Sequence, residues 1–410
     1  MSSTPRVLFV GQAYYNHWYL SRRLRELGWK ADLLNFDRST AGHYHGEDRL
    51  LLGNKRRHLL PHAAVFARAA RDYDIFHFAN LGGLRFGDAI HDFASHRFSM
   101  YGEIRLLRRL GKRVVYTTNG CYDGVAQTTF RNLPPYPTCD DCPFQHRPDI
   151  CSDERNLAWG QARNELSDYV ALLGGYREDH NVAPNVHENP WVYCLDEDVW
   201  SPDLLVPTNY RLGLREETFK VYHSVGNADN RSQVGTLRNT KSTHIYVPLI
   251  DDLKAEGRDV ELIFFKDVPN LELRYYQAQA DVFVDMLTAG FFGATAREGM
   301  MLGKPVICFL RPEWLENMRR ELPAYADELP VLSATPDTVR DVLVDLMDHP
   351  EKRAEIGRRS REFAVKWHGS REAARVWDGL YRRILDGTLP PAPWGEPGCA
   401  RNGDPAQSTP

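Results

Sequence analysis

The stretch ADVFVDMLTAGFFGATAREGMMLGKPVICFL, residues 280 to 310, places a glycine-rich turn between two apolar, β-rich runs. Its pattern predicts a buried strand over 280–286, a loop over 287–294, a helix over 295–302 that stops at Gly303, and a second strand over 305–310. In open α/β sheets, ligands collect at the carboxyl ends of the strands, where the free N–H groups of the next helix point outward. The stretch therefore predicts a binding loop at the mouth of a sheet.

Three residues of this loop and helix are candidate ligand contacts. Gly290 and Gly293 let the backbone come close to a bound group, and the positive end of the helix suits a phosphate. Glu298, about one turn into the helix, carries a carboxylate that can accept hydrogen bonds from a vicinal diol such as a ribose. The alternative is that the glycines only form a tight turn and that Glu298 is a surface residue.

Short β-rich runs alternate with longer amphipathic stretches along the whole chain, which is typical of parallel sheets covered by helices. Predicted strands lie at 6–11, 31–36, 74–79, 113–119 and 169–175 in a first series, and at 219–227, 259–267, 280–286, 305–310 and 329–335 in a second. The polar segment 195–217 between the two series predicts a hinge. The predicted fold class is α/β, with two doubly wound domains that face each other.

The domain boundaries follow from this alternation. We expect an N-terminal domain over 1–200, a C-terminal domain over 201–372, and a last helix over 373–388 that packs back toward the N-terminal domain. Residues 389–410 contain too little apolar surface to offset chain entropy, which predicts a disordered tail.

Length and charge narrow the possible functions. A chain of 410 residues exceeds what one hydrophobic core usually serves, in agreement with two domains. The net charge is -4, and the lysines and arginines form no basic stripe along the sequence. This distribution argues against nucleic acid as the main partner. The apolar runs are shorter than the roughly 20 residues of a membrane-spanning helix, and the start MSSTPRVLFVG has no signal-peptide pattern. We expect a cytoplasmic protein; the oligomeric state stays open.

The segment GFFGATAREGMMLGKPVICF resembles the nucleotide-sugar signature of the large retaining group of GT-B glycosyltransferases, whose usual form is E-G-F-G-x4-E-A-x3-G-x-P-V. The resemblance extends to HSVGN at 223–227 and to the lysine-bearing segment 239–265. It implies two facing Rossmann-like domains with a deep cleft, a donor site in the C-terminal domain and an acceptor site in the N-terminal one. The implied donor is a UDP or GDP sugar, and the acceptor is a saccharide, an aminocyclitol or another small molecule. No catalytic metal is expected.

The same resemblance assigns residues by position. Glu298 would bind the ribose hydroxyls, and Lys241 would hold the diphosphate. Either Arg231 or Arg238 would supply a second cation, since the departing diphosphate gains negative charge; the other arginine would be a solvated loop charge. The remaining implied donor contacts are Asn227, Gly290, Phe291, Phe292 and Gly293.

Two positions depart from the family pattern. The first Glu of the E-x7-E pair falls on Gly290, so either main-chain groups replace it or the sugar is recognised differently. The His of a His-Gly pair after RVVYTT is replaced by Asn119, which cannot act as a general base. Retention tolerates this loss because the leaving phosphate can take the acceptor proton, whereas inversion would require a side-chain base, for which Asp123 and His17 are the nearest candidates. Asn16 is a further polar candidate in the same turn as His17.

Other functions stay open at this stage. A nucleotide-sugar epimerase of the same fold is one alternative, and a catalytically silent nucleotide-sugar-binding relative is another. His77 is more typical of a core histidine than of a catalyst. The D-x-D triplet at 196–198 lies in the predicted hinge, and we interpret it as structural.

Four cysteines fall close together in a proline-rich insertion at 131–155 and the turn before it. Cys139, Cys142 and Cys151 lie in CDDCPFQHRPDIC, and Cys121 precedes them. In a cytosolic chain this spacing predicts a structural Zn²⁺ site, with His146 as an alternative fourth ligand in place of Cys121. Free thiols and a [4Fe–4S] cluster are the alternatives.

Overall fold

A computed structural model describes residues 4–38, 43–79, 83–118, 120–121, 123–172, 176–266 and 268–389. Within these residues the strands are β1 (Arg6–Val10), β2 (Lys30–Asn35), β3 (Arg49–Leu50), β4 (Ile75–Phe78), β5 (Arg113–Thr117), β6 (Tyr169–Leu172), β7 (Val186–Glu188), β8 (Phe219–Tyr222), β9 (Val260–Ile263), β10 (Val282–Val284), β11 (Val306–Cys308) and β12 (Leu332–Ser333). Each of the ten predicted strands is confirmed. The short strands β3 and β7 were not predicted, because neither presents an extended β-rich run.

Helices connect these strands. They are α1 (Asn16–Glu26), α2 (Leu59–Asp72), α3 (Asp88–Arg97), α4 (Gly102–Arg109), α5 (Gln127–Arg131), α6 (Asp153–Leu166), α7 (Ala228–Arg231), α8 (Thr243–Ala255), α9 (Asn270–Ala278), α10 (Ala294–Met301), α11 (Pro312–Glu321), α12 (Pro323–Glu328), α13 (Val339–Asp348), α14 (Pro350–His368) and α15 (Ser370–Asp386). None of the helices in the described ranges combines the length and apolar character needed to cross a membrane.

The strands form two parallel sheets, which confirms the predicted α/β class. The first has the order β3-β2-β1-β4-β5-β6-β7 and the second the order β12-β11-β10-β8-β9. In the first sheet Val7 pairs with Ala31 on one side and with Ile75 on the other. Strand order reverses between β1 and β4, and again between β8 and β10, and such switch points are where α/β sheets open a crevice for ligands. We call the halves built on these sheets the first lobe and the second lobe.

One hydrophobic cluster spans the two lobes. Tyr15 of the first lobe, Trp200 of the connecting segment and Phe292 of the second lobe belong to the same buried cluster. Tyr15 and Trp200 lie with ring centroids 5.1 Å apart. Burial of such large rings is a strong source of stability, so the lobes are packed against each other and not merely tethered.

The last described helix, α15, packs against the first lobe. In α15 the Asp378 carboxylate accepts a hydrogen bond from Trp29 Nε1 at 2.6 Å, and the Tyr381 hydroxyl lies 2.6 Å from His77 Nδ1. The second His77 nitrogen lies 2.7 Å from Thr117 Oγ1, so His77 is a satisfied core residue. The predicted tail lies outside the described residues from 390 onward.

The acidic triplet 196–198 holds α15 in place. Glu197 Oε2 accepts hydrogen bonds from Ser370 N and Ser370 Oγ, both at 2.8 Å. Asp196 pairs with Arg23 of α1 at 3.1 Å. A carboxylate at a helix start satisfies free N–H groups there, which is a structural task. The rest of the segment 195–217 contains one short turn of 3₁₀ helix, Thr208–Tyr210.

Candidate functional site

The glycine-rich loop lies at the carboxyl end of β10, the central strand of the second sheet. Gly290 has φ of 88°, in the left-handed region that glycine adopts without strain. The Gly293 N–H donates to Asp285 Oδ2 at 2.7 Å, which fixes the start of α10 beside the end of the strand. The side chains of Phe291 and Phe292 pack against Tyr176 and Trp314, with centroids 5.3 Å and 5.9 Å apart.

The loop faces the first lobe and is largely covered by it. The Tyr176 hydroxyl donates to the Ala289 carbonyl, and the Thr288 hydroxyl donates to Asp141 Oδ2 at 3.0 Å. Both partners belong to the first lobe. The loop therefore lies at the junction of the lobes, and the structure holds that junction closed.

Lys241 reaches the glycine-rich loop from the preceding part of the second lobe. Its ammonium group forms an ion pair with the fully buried carboxylate of Asp285. A Cβ atom added to Gly293 would lie only 2.7 Å from Lys241 Nζ, so the absence of a side chain lets the cation approach the backbone at the helix start. Lys241, Asp285 and Gly293 thus form one contiguous group.

The structure separates the two candidate arginines. Arg238 Nε donates to Asp141 Oδ1 at 2.9 Å, and its side chain is half exposed. Arg231 lies instead beside the Tyr14 hydroxyl. Burial alone would raise the pKa of Tyr14, but the charges of Arg231, Lys241 and Arg297 outweigh it and leave that pKa below its usual value. Arg231 and Lys241 therefore both act on the Tyr14 hydroxyl, at one place on the lobe junction.

The first lobe contributes His43 to this point, a residue that the sequence did not single out. His43 lies with its ring 4.9 Å from that of Tyr14 in an edge-on contact. Burial, followed by the charges of Arg231 and Lys241, lowers the pKa of His43 to about 4. Ala13 and Tyr14 both have positive φ, 45° and 61°, which is unusual for residues other than glycine. Nothing in the sequence pattern marks His43, because it follows no predicted strand.

Glu298 is buried, and donors from the protein occupy both of its oxygens. Oε1 accepts from the Tyr15 hydroxyl at 2.8 Å and from Asn270 Nδ2 at 2.9 Å, and Oε2 accepts from Gln277 Nε2 at 2.6 Å. Burial raises the pKa of Glu298, against the opposing effect of these donors. Glu298 is thus not a surface residue of α10 but links the lobes through Tyr15. Asn227, in contrast, is exposed at the start of α7.

The proposed bases of the first lobe do not face the junction. His17 is completely buried; its Nδ1 lies 2.8 Å from the Gly11 carbonyl, and burial lowers its pKa to about 3. Asp123 accepts from Trp159 Nε1 at 2.5 Å inside the first lobe. Asn16 is also buried and donates to the Ala13 carbonyl at 2.7 Å. The expectation that His17 or Asp123 supplies a base is therefore not supported by their positions. Asn119 lies outside the described residues.

The four cysteines of the insertion region form no disulfide bond within the described residues. Burial and then the neighbouring Cys142 and Cys151 raise the pKa of Cys139 to about 12. No three His, Cys, Asp or Glu side chains in the described ranges are arranged to hold a metal ion. The predicted zinc site therefore lacks support from the geometry.

The insertion instead bridges the lobes. Besides the contacts of Asp141 with Arg238 and Thr288, the Asp140 carbonyl accepts from Gln233 Nε2 at 2.8 Å. The Tyr136 carbonyl accepts from Arg311 Nη2 at 3.3 Å. The sequence suggested that a metal ion orders this segment. In the structure the segment contacts the second lobe beside the glycine-rich loop.

Two buried guanidinium groups flank the glycine-rich loop, and neither was predicted. Arg297 and Arg311 are 3% and 2% exposed, and neither has a carboxylate within ion-pair distance among the described residues. Arg297 Cζ lies 5.3 Å from the Tyr193 ring centroid. A cavity of about 20 Å³, enough for one water molecule, lies beside Arg297 and Glu188. Burial raises the pKa of Glu188 to about 7.

Comparison with solved structures identifies the fold. Sucrose-phosphate synthase from Thermosynechococcus elongatus matches with a TM-score of 0.57 and 15% identity, over 93% of this chain and 100% of that one. HepE from Anabaena, solved with UDP, matches with a TM-score of 0.54 and 14% identity, over 92% of this chain and 100% of that one. No family model matches the sequence, and no curated protein matches it. The chain has the GT-B fold, as its sequence signature implies.

Proposed function

We propose that this protein is a glycosyltransferase that takes its sugar from a nucleoside diphosphate sugar. The observation that carries the proposal is that Arg231 and Lys241 both lie close enough to the Tyr14 hydroxyl to lower its pKa, while Lys241 also lies beside Gly293 at the start of α10. Two cations and a helix start suit a diphosphate, whose negative charge grows as the glycosidic bond breaks. HepE, of the same fold, was solved with UDP and with UDP-glucose, which favours UDP over GDP as the nucleotide.

The remaining residues take roles in the donor site by their position. The backbone from Gly290 to Gly293 faces the diphosphate and the sugar, while the phenyl rings at 291 and 292 pack away from it. Glu298 accepts hydrogen bonds from the ribose diol in place of the Tyr15 hydroxyl, which requires the lobes to part. Asn227 lies at the exposed entrance of the proposed donor site, near Arg231.

The first lobe binds the acceptor, a saccharide, an aminocyclitol or another small molecule. Because neither His17 nor Asp123 reaches the junction, the acceptor proton passes to the leaving phosphate, and the configuration of the sugar is retained. Arg231 and Lys241 supply the charge that a divalent ion supplies in other transferases, so the proposal requires no catalytic metal.

A thermal-shift screen against nucleoside diphosphates tests the donor site. A ligand that binds only the folded state at about 100 times its Kd stabilises it by about 2.7 kcal/mol. We expect UDP, or failing that GDP, to raise the melting temperature, and adenosine diphosphate to have little effect. If no nucleoside diphosphate raises it, the proposal is wrong.

Slow hydrolysis of a radiolabelled donor then tests the chemistry. We expect release of free sugar without acceptor, and we expect the Glu298→Gln protein to release it more slowly, because the amide offers a donor where the ribose needs an acceptor. The matched control is Glu261→Gln, a surface residue paired with Lys254 at 2.7 Å. Equal hydrolysis by Glu298→Gln and wild type would contradict the role of Glu298.

A further inference from the structure

The guanidinium of Arg311 occupies the space that a side chain at residue 290 would need. A Cβ atom added to Gly290 would lie 2.8 Å from Arg311 Nε and 2.9 Å from Arg311 Cβ. The Arg311 N–H also donates to the Gly290 carbonyl at 2.9 Å, so the two residues are locked together. The Arg311 guanidinium therefore lies beside the end of the glycine-rich loop that faces the first lobe.

Among the described residues, this guanidinium is buried without an anion. Arg311 Nη2 donates to the Tyr136 carbonyl at 3.3 Å, and Cζ lies 5.8 Å from the Phe309 ring centroid. Nε and Nη1 are enclosed and have no hydrogen-bond partner in the part of the chain that the structure describes. A buried charge is costly unless it is paired, and a neutral carbonyl together with one ring does not neutralise it. The site thus has unused capacity to bind an anionic group.

The geometry points to a donor sugar that carries a carboxylate, a uronic acid, held by Arg311; this inference rests on the proposed function. A sugar attached to a diphosphate at Gly293 extends along the loop toward the first lobe and so reaches Gly290. A guanidinium can only donate hydrogen bonds, and it binds carboxylates more strongly than hydroxyl groups.

Residues of both lobes surround the Arg311 guanidinium. The Tyr136 backbone of the insertion, the Phe309 ring and the glycine-rich loop enclose it. Tyr136 belongs to the insertion of the first lobe, so the insertion must move away for the sugar to enter. The insertion then returns over the bound sugar.

Calorimetric titration of the full chain tests the inference without any variant. The ligands are UDP, UDP-glucose and UDP-glucuronate, with UDP-galactose and UDP-galacturonate as a second pair; if the nucleotide screen selects GDP, GDP-mannose and GDP-mannuronate replace them. We expect the acidic sugar of a pair to bind at least about tenfold more tightly than its neutral partner. If UDP binds and neither acidic sugar is preferred, the inference is overturned and the proposed function stands. If no nucleotide binds, both fall.

Two arginines near each other in sequence provide a matched pair of variants. Arg311→Gln keeps a donor for the Tyr136 carbonyl but loses the charge, and we expect the preference for the acidic sugar to fall to about twofold or less while affinity for UDP itself is unchanged. Arg319→Gln, on the exposed face of α11 beside Asp327, should keep the full preference. An unchanged preference in Arg311→Gln would assign Arg311 a purely structural role.

Discussion

The polar residues on the two sides of the lobe junction have different surroundings. On the second-lobe side, Lys241, Gly293 and Glu298 lie within one connected group at the end of a central strand. On the first-lobe side, His17 and Asp123 follow strands of the same kind, yet both turn into the core and bind main-chain or indole groups. A polar residue after a strand therefore becomes a site residue only when its side chain turns toward the facing lobe.

This difference assigns separate tasks to the two lobes in the proposed reaction. The second lobe concentrates charge, and the first lobe contributes hydroxyl groups, an imidazole of lowered pKa at His43, and the covering insertion. The following experiments test this division, beginning with the largest expected effect.

Removing the Lys241 ammonium should affect the second-lobe side most. We expect Lys241→Met to weaken binding of the nucleoside diphosphate about 100-fold, because loss of a partly buried charge from a charged contact costs about 2 to 5 kcal/mol. Calorimetry at a temperature where the variant is folded measures this affinity. Lys254→Met, which removes an exposed ion pair, is the control and should change it less than twofold. Equal affinities of the two variants for the nucleoside diphosphate would contradict the role of Lys241 in binding it.

The first-lobe residue Glu188 should make stability depend on pH. Burial raises its pKa from 4.5 to about 7, against the opposing charge of Arg177, whose Nε lies 3.2 Å from Glu188 Oε1. The folded state therefore holds a proton that the unfolded state loses between those pH values. Stability from this proton is therefore present below pH 4.5 and is lost as pH rises toward 7, at about 1.4 kcal/mol for each unit. Relative to Glu188→Gln, the wild-type free energy of unfolding should fall by about 2 kcal/mol from pH 5 to pH 8 in denaturant titrations. A constant difference between the proteins would show that Glu188 is ionised when folded.

The two arginines of the segment 228–239 should differ in their effect on nucleotide binding. We expect Arg231→Gln to weaken nucleotide binding about tenfold, because Arg231 lies with Lys241 at the junction. Arg238→Gln should weaken it less than twofold, because Arg238 binds Asp141 of the insertion. Titrations of both proteins under the same salt conditions decide the matter, and the reverse order would mean that the insertion moves aside to release Arg238 for the diphosphate.

His17→Asn should have the smallest effect on catalysis. The asparagine amide can still donate to the Gly11 carbonyl, so we expect donor hydrolysis within about threefold of wild type and an unchanged pH profile, whereas loss of a general base costs about 100-fold or more. The profile is measured from pH 5 to pH 9. Loss of its acidic limb would restore His17 as a base.

The sequence predicted the second lobe better than the first for a physical reason. Glycine at 290 and 293 and the apolar runs on either side are local signals, and local signals determine where a strand ends and a helix begins. The partners of Glu298 are long-range: Tyr15 lies 283 positions away, and packing of the two lobes decides that contact.

The positions of Arg311 and of the insertion also depend on long-range contacts, which the sequence alone does not reveal. Gly290 was recognised as a missing carboxylate, but only the folded chain shows that a guanidinium fills the space. The cysteine spacing suggested a metal, whereas the segment is placed by contacts such as Asp141 with Arg238, which no spacing rule encodes.

Hydrogen exchange with and without UDP tests the central claim most directly, because it locates the bound nucleotide. We predict slower exchange in peptides that cover residues 239–243 and 290–297 when UDP is present, with strands β4 and β5 of the first lobe unchanged. Exchange in 290–297 that UDP leaves unaltered, while the first lobe alone becomes protected, would contradict a donor site in the second lobe.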